Sequence, residues 1–112
     1  MFPSNPFYGD DPLVIQVQAS ASAAAVVTMS GEVDVCNYAR MQQVVIDLLL
    51  HKRPAHVLLD MGKVTFLDAA GIRALLTCRY DAEQLGIRLK ICAAHKRVRW
   101  VLTVCDAEHL LH

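Results

Sequence analysis

At 112 residues, the chain suits one domain, near the lower end of what can bury a core without staples. Apolar residues make up 54% of it, which argues for a packed globular domain and against wholesale disorder. Eleven Lys and Arg balance eleven Asp and Glu, so the composition supplies no general basic surface for neutralising nucleic-acid phosphates.

Residues 1–12 hold Pro3, Pro6 and Pro12 with Asn5, Gly9 and the pair Asp10-Asp11, and read as an irregular arm. Phe2, Phe7 and Tyr8 leave open whether that arm packs on the domain, on a partner, or is held loosely. The domain proper is expected over 13–112. Leu13-Val14-Ile15-Gln16-Val17-Gln18 reads as a strand, and Ala23 to Val33 as a second one ending near the turn-prone Ser30-Gly31. The short link Ala19-Ser20-Ala21-Ser22 between them suggests a hairpin.

Asn37 is placed to cap a first helix, whose Tyr38, Met41, Val45, Leu48 and Leu49 share one stripe. Lys52-Arg53-Pro54 ends it. His56 to Asp60 is expected as a third strand, buried on both faces because its apolar run is unbroken. A glycine turn at Gly62 and an inward hydrophobic plug (Val64, Phe66, Leu67) then lead to Asp68, which caps a second helix. That helix turns Ile72, Leu75, Leu76 and Ala82 inward, and Gly86 suits the position just past its end. Ile87 to Ile91 alternates cleanly, as a strand near an edge does. A third helix from about Lys96 is expected to bury Val98, Val101 and Leu102, with Cys105 and Trp100 as further candidates. Glu108 to His112 closes as a short turn or strand. The order β-β-α-β-α-β-α implies an α/β domain, a mixed four- to five-stranded sheet with helices packed on it.

Cys36, Cys78, Cys92 and Cys105 form no C-x-x-C pair and sit in apolar segments, so they read as reduced, buried hydrophobes. The histidines show no i,i+4 pairing, and neither a metal site nor a cofactor is expected. No apolar run approaches the roughly 20 residues of a membrane span. The start of the chain lacks the charged and apolar pattern of a secretory signal, so the expected location is the cytoplasm. No G-x-S-x-G elbow and no Cys-His pair prepares a nucleophile, and the chain is expected not to be an enzyme.

The most informative stretch is Asp60 to Ile72. Phe66-Leu67-Asp68-Ala69-Ala70-Gly71-Ile72, with Asp60 upstream, resembles the signature loop of STAS domains, the fold of bacterial anti-sigma factor antagonists. Ser30-Gly31-Glu32-Val33-Asp34 resembles the family's second strand and its acidic ending, and the likeness runs from about Leu13 to about Leu111. The resemblance implies a STAS-like domain that binds an anti-sigma factor or related serine-protein kinase. Its partner-facing positions would be Asp34, Thr65, Asp68, Ala69, Ala70, Gly71 and Arg73. In that family a Ser or Thr just before the helix-opening glycine usually accepts phosphate, often preceded by another hydroxyl residue. Here those positions are Ala70 and Ala69.

Three readings of Ala70 stand side by side. Alanine favours a helix, so Ala69-Ala70 stabilise its start. Alternatively, the missing hydroxyl keeps the surface permanently in the unphosphorylated, binding-competent state, or the chain has drifted to a different partner and the site is lost as unused. Thr65 and Thr77 are the remaining hydroxyls near the loop, as substitute acceptors or ordinary residues. Glu32, Asp34, Asp60 and Asp68 all fall near strand ends, where acids serve Mg²⁺ or phosphoryl chemistry or, more simply, cap and brace loops. Lys96, Arg97 and Arg99 form a basic helix start, read as a solvated patch or as a phosphate or headgroup site. The competing functional reading is an accessory STAS subunit of a membrane transporter, such as a lipid-transport ABC system.

Overall fold

A computed structural model describes residues 13–19 and 24–112; the expected arm, residues 1–12, lies outside the described residues. In chain order the elements are β1 (Val14–Ala19), β2 (Ala24–Val33), α1 (Tyr38–His51), β3 (His56–Leu67), α2 (Ala69–Gln84), β4 (Arg88–Ala94) and α3 (Lys96–Val104). A 3-10 helix, Glu108–Leu111, follows α3. The described strands form one four-stranded sheet in the order β1-β2-β3-β4. β1 runs antiparallel to β2 as the hairpin reading requires, while β2, β3 and β4 are parallel to their neighbours. A mixed sheet follows, because each parallel pair is joined through a helix and the first pair through a short link.

One face of the sheet supplies the core. Ala25, Val27 and Met29 of β2, Val57 and Leu59 of β3, and Leu89 and Ile91 of β4 are buried with Met41, Val45, Leu48 and Leu49 of α1. Ile72, Ala74, Leu75, Cys78 and Ala82 of α2 complete the same cluster, which explains the 3.6-residue apolar stripes of both helices. The opposite face is less covered. Val26, Thr28, Leu58 and Asp60 are half-buried, so β3 is not buried on both faces as its apolar run suggested. β4 lies at the edge, and its exposed Arg88 and Lys90 keep that edge charged.

β3 departs most from expectation. It does not stop at Asp60: it runs through Gly62 to Leu67. Against β2 the pairing jumps from Thr28↔Asp60 to Ser30↔Lys63, and again from Gly31↔Val64 to Glu32↔Phe66. Each jump places one extra residue in β3, which is a bulge. The bulges change the side-chain period, so the buried positions become Met61, Val64 and Leu67, three apart. Phe66 is thereby turned outward, 49% exposed, and is no part of an inward plug. Gly62 makes no turn; its N–H donates to Asp60 Oδ1 at 3.0 Å inside the bulged strand.

The helix ends follow their chemistry. α2 closes with Gly86 at φ 72°, the left-handed conformation glycine adopts without strain. Gly86 N–H donates to Glu83 O at 3.1 Å and Ile87 N–H to Ala82 O at 2.8 Å, the bond pair of a Schellman end. Asn37 precedes α1, but its side chain makes no cap bond to that helix. In α3, Val98 and Leu102 are buried and Val101 half-buried, whereas Trp100 is 67% exposed and Cys105 is also exposed. Of the four cysteines only Cys78 is buried; Cys36, Cys92 and Cys105 reach solvent. An apolar neighbourhood in sequence does not bury a residue on the outward side of a helix, strand or turn.

Candidate functional site

The loops that follow the neighbouring parallel strands β2 and β3 leave the sheet at the same end, and Asp68 ties them together. Asp68 Oδ1 accepts the N–H of Gly71 at 3.0 Å, which caps α2. Its other oxygen, Oδ2, accepts the N–H of Val35 at 3.0 Å, across to the turn after β2. The Asp68 backbone N–H donates to Val33 O at 3.2 Å, so two bonds hold the two loops in register while the third caps α2. One carboxylate thus sets the relative position of the α2 start and the 34–37 turn.

That turn has its own bracing. Asp34 Oδ1 accepts the N–H of Cys36 at 2.9 Å, a local side-chain turn. Asn37 is 3% exposed; its Oδ1 accepts the N–H of Asp34 at 2.9 Å and its Nδ2 donates to Glu32 O at 2.9 Å. Burial of this amide is offset because it replaces strand partners that the chain loses as β2 ends. Val35 is left at the tip, 67% exposed.

Gly71 makes the close crossing of α2 over the sheet possible. A Cβ there would lie 2.6 Å from Leu67 Cδ1 and 2.9 Å from Val33 Cγ1, too near for any side chain. The first turn of α2 therefore sits tight against the ends of β2 and β3. Ala69 is exposed, Ala70 half-buried, and Arg73 and Thr77 exposed. Residues 70, 73 and 77 fall on one stripe, and Thr77 lies about 10 Å along the helix from Ala70. Thr65 is exposed and its Oγ1 donates to Gly31 O at 3.3 Å.

Asp34, Thr65, Asp68, Ala69, Ala70, Gly71 and Arg73 thus lie on or beside the two joined loops. Asp68 and Gly71 build the rim; Ala69, Ala70 and Arg73 stand on it. Asp60, bonded within its own strand, and Glu32, exposed, do not join Asp34 and Asp68 in one acidic centre. No group of three or more His, Cys, Asp or Glu side chains suited to a metal ion occurs among the described residues. Val35, Asn37 and Phe66 are contributors that sequence reasoning missed. The Asp34-x-x-Asn37 spacing was the one available signal for the braced turn.

The sequence profile of the STAS domain matches residues 14–112, nearly the whole chain. The chain belongs to the STAS domain family. No curated protein matches it by sequence. Among solved structures, an anti-sigma factor antagonist from Mycobacterium paratuberculosis superposes with a TM-score of 0.76 at 18% identity, covering 96% of this chain and 86% of that one. The anti-sigma factor antagonist SpoIIAA in its unphosphorylated form gives 0.72 at 14% identity, over 88% of this chain and 86% of that one. A third match is to SLC26A9, with 0.69 at 16% identity, covering 92% of this chain but 22% of the other. Identities this low establish a shared fold and no shared partner. Among the described residues of this STAS domain, no helix is long and apolar enough to cross a membrane.

Proposed function

We propose that this STAS domain is a non-catalytic regulatory module that binds an anti-sigma factor or related serine-protein kinase through the rim formed by residues 62–73 and the turn at Asp34. The observation that carries the reading is the double grip of Asp68, which presents the first turn of α2 beside the exposed Val35 as one rigid surface. A pre-ordered surface binds at lower entropic cost than one ordered by its partner. The fold shared with two anti-sigma factor antagonists supports the same reading.

On this reading Ala70 occupies the position of the phospho-acceptor, and the domain is constitutively competent to bind. A phosphate there would add charge and bulk against the partner; alanine removes that switch. Two features favour a lost switch over one moved to Thr65 or Thr77: Thr65 donates to Gly31 O, and Thr77 lies two turns away along α2.

The test uses the partner captured from native lysate, identified by mass spectrometry and then purified. Ala70→Asp should fold normally, because an acid in the first turn of a helix is tolerated or favourable by about 0.3–1 kcal/mol. It should weaken binding by about 2–5 kcal/mol in calorimetry, as an unpaired carboxylate is desolvated at the interface. Ala70→Ser should bind like the parent until the kinase and ATP modify it. Unchanged affinity of Ala70→Asp would remove the rim from the interface. Capture of a permease and its ATPase would favour the transporter-subunit reading, to which the SLC26A9 fold match lends support.

A further inference from the structure

A second surface lies beside the rim and is chemically unlike it. Between the end of β3 and α3 runs a groove of about 540 Å³, lined by Thr65, Phe66, Leu67, Lys96, Arg97, Trp100 and Val101. Its two large aromatic side chains are both well exposed: Phe66 at 49% and Trp100 at 67%. α3 in fact carries two apolar stripes. Val98 and Leu102 face the core with Val101 packed half-buried beside them, while Trp100 and Val104, at i and i+4, face outward and are exposed. Only the first stripe is needed to hold the helix on the sheet.

The charge beside this apolar stripe is of one sign. Lys96, Arg97 and Arg99 open α3, and the helix contains no acid. Three cations at a helix N-terminus oppose the helix dipole, so the arrangement costs stability in the isolated domain. An acidic ligand would relieve it. In a chain with zero net charge, an exposed Trp, an exposed Phe and three cations grouped on one short helix and the adjoining strand define a specific chemistry. Trp and Arg are also the residues most enriched among energetic anchors of protein interfaces. A concave groove accommodates individual side chains, whereas a bilayer surface requires a flat or convex apolar face, which favours a protein ligand over lipid.

We propose that the groove between the end of β3 and α3 is a docking site for an acidic amphipathic segment of a partner protein. Its apolar side chains sit against Phe66 and Trp100, and its carboxylates meet Lys96 and Arg97. The groove adjoins the rim and shares Thr65, Phe66 and Leu67 with the 62–73 stretch, but its α3 side, Lys96, Arg97 and Trp100, lies outside the rim, and the site stands whether or not the rim binds an anti-sigma factor.

Trp100 is the single tryptophan of the chain, so its emission reports on the groove directly. The whole protein is titrated with a Trp-free synthetic peptide bearing Leu at i, i+3, i+4 and i+7 and Glu elsewhere, and with its Lys-for-Glu counterpart. The Glu peptide is expected to give a saturable blue shift that weakens with salt, and the Lys peptide none. Lys96→Glu combined with Arg97→Glu, or Phe66→Ala alone, should each weaken binding at least about tenfold, with circular dichroism unchanged because these side chains are exposed. Ala70→Asp should leave this titration unaffected, which separates the groove from the rim. No response to the Glu peptide, or an equal response to both peptides, overturns the proposal. So does a response to phosphatidylglycerol-containing vesicles in place of the peptide, which would make the face a membrane contact. Concentration-dependent self-association that shields Trp100 would assign the groove to a second copy. A red shift on Phe7→Ala with Tyr8→Ala, without peptide, would assign it to the chain's own residues 1–12.

Discussion

Cys78 and its three exposed counterparts show how much one position decides. Burial, with the nearby charge of Asp81 as a lesser cause, pushes the Cys78 thiol up from 9.0 to about 12. Thiolate is the reactive form, so Cys78 is doubly protected, by access and by protonation. In the native protein Cys36, Cys92 and Cys105 should react promptly with a thiol reagent, and Cys78 only after unfolding. The raised value also has a sign in pH. The unfolded chain loses this proton near 9.0 while the folded chain keeps it to about 12. The stabilisation is therefore complete below pH 9 and is lost as pH rises towards the folded value, by on the order of 1 kcal/mol at about pH 10. Urea unfolding of the parent and Cys78→Ala should show this alkaline slope in the parent alone.

At the scale of elements, the α2 crossing depends on one missing methyl group. In an ordinary helix interior Gly→Ala gains about 1 kcal/mol. Gly71→Ala should do the reverse, because its Cβ would strike Leu67 and the stiff, β-branched Val33 at under 3 Å. A loss of about 1–3 kcal/mol is expected in urea denaturation. The shifted α2 start should also weaken partner binding, since Asp68 grips Gly71 and Val35 together. Much of this element was legible beforehand: Asp68 as the cap and Gly86 as the end both follow from local backbone chemistry. The path of β3 was not. Its two bulges exist because β2 imposes a register on it, and a register belongs to a pair of strands. Phe66 was misassigned for that reason, and Trp100 because either side of a short α3 offered an apolar stripe.

For the whole molecule, the sheet order ranks local stability. β2 and β3 each have two strand neighbours, whereas β1 has one and is largely exposed. Hydrogen exchange should therefore be slowest for core amides of β2 and β3, such as Val27 and Leu59, and much faster along β1. Uniform protection across all four strands would mean that the β1 edge is covered in solution.

The residues alone determined the element order, the inward stripes of α1 and α2, the capped start of α2 and membership signals at residues 30–34 and 66–72. All of these depend on neighbours within one turn or one strand, where periodicity and capping act. The tertiary structure decided the continuation of β3 through Gly62, the outward turn of Phe66 and Trp100, the exposure of three cysteines, and the joining of two loops by Asp68. Each of these depends on contacts between segments far apart in sequence, and no local preference carries that information.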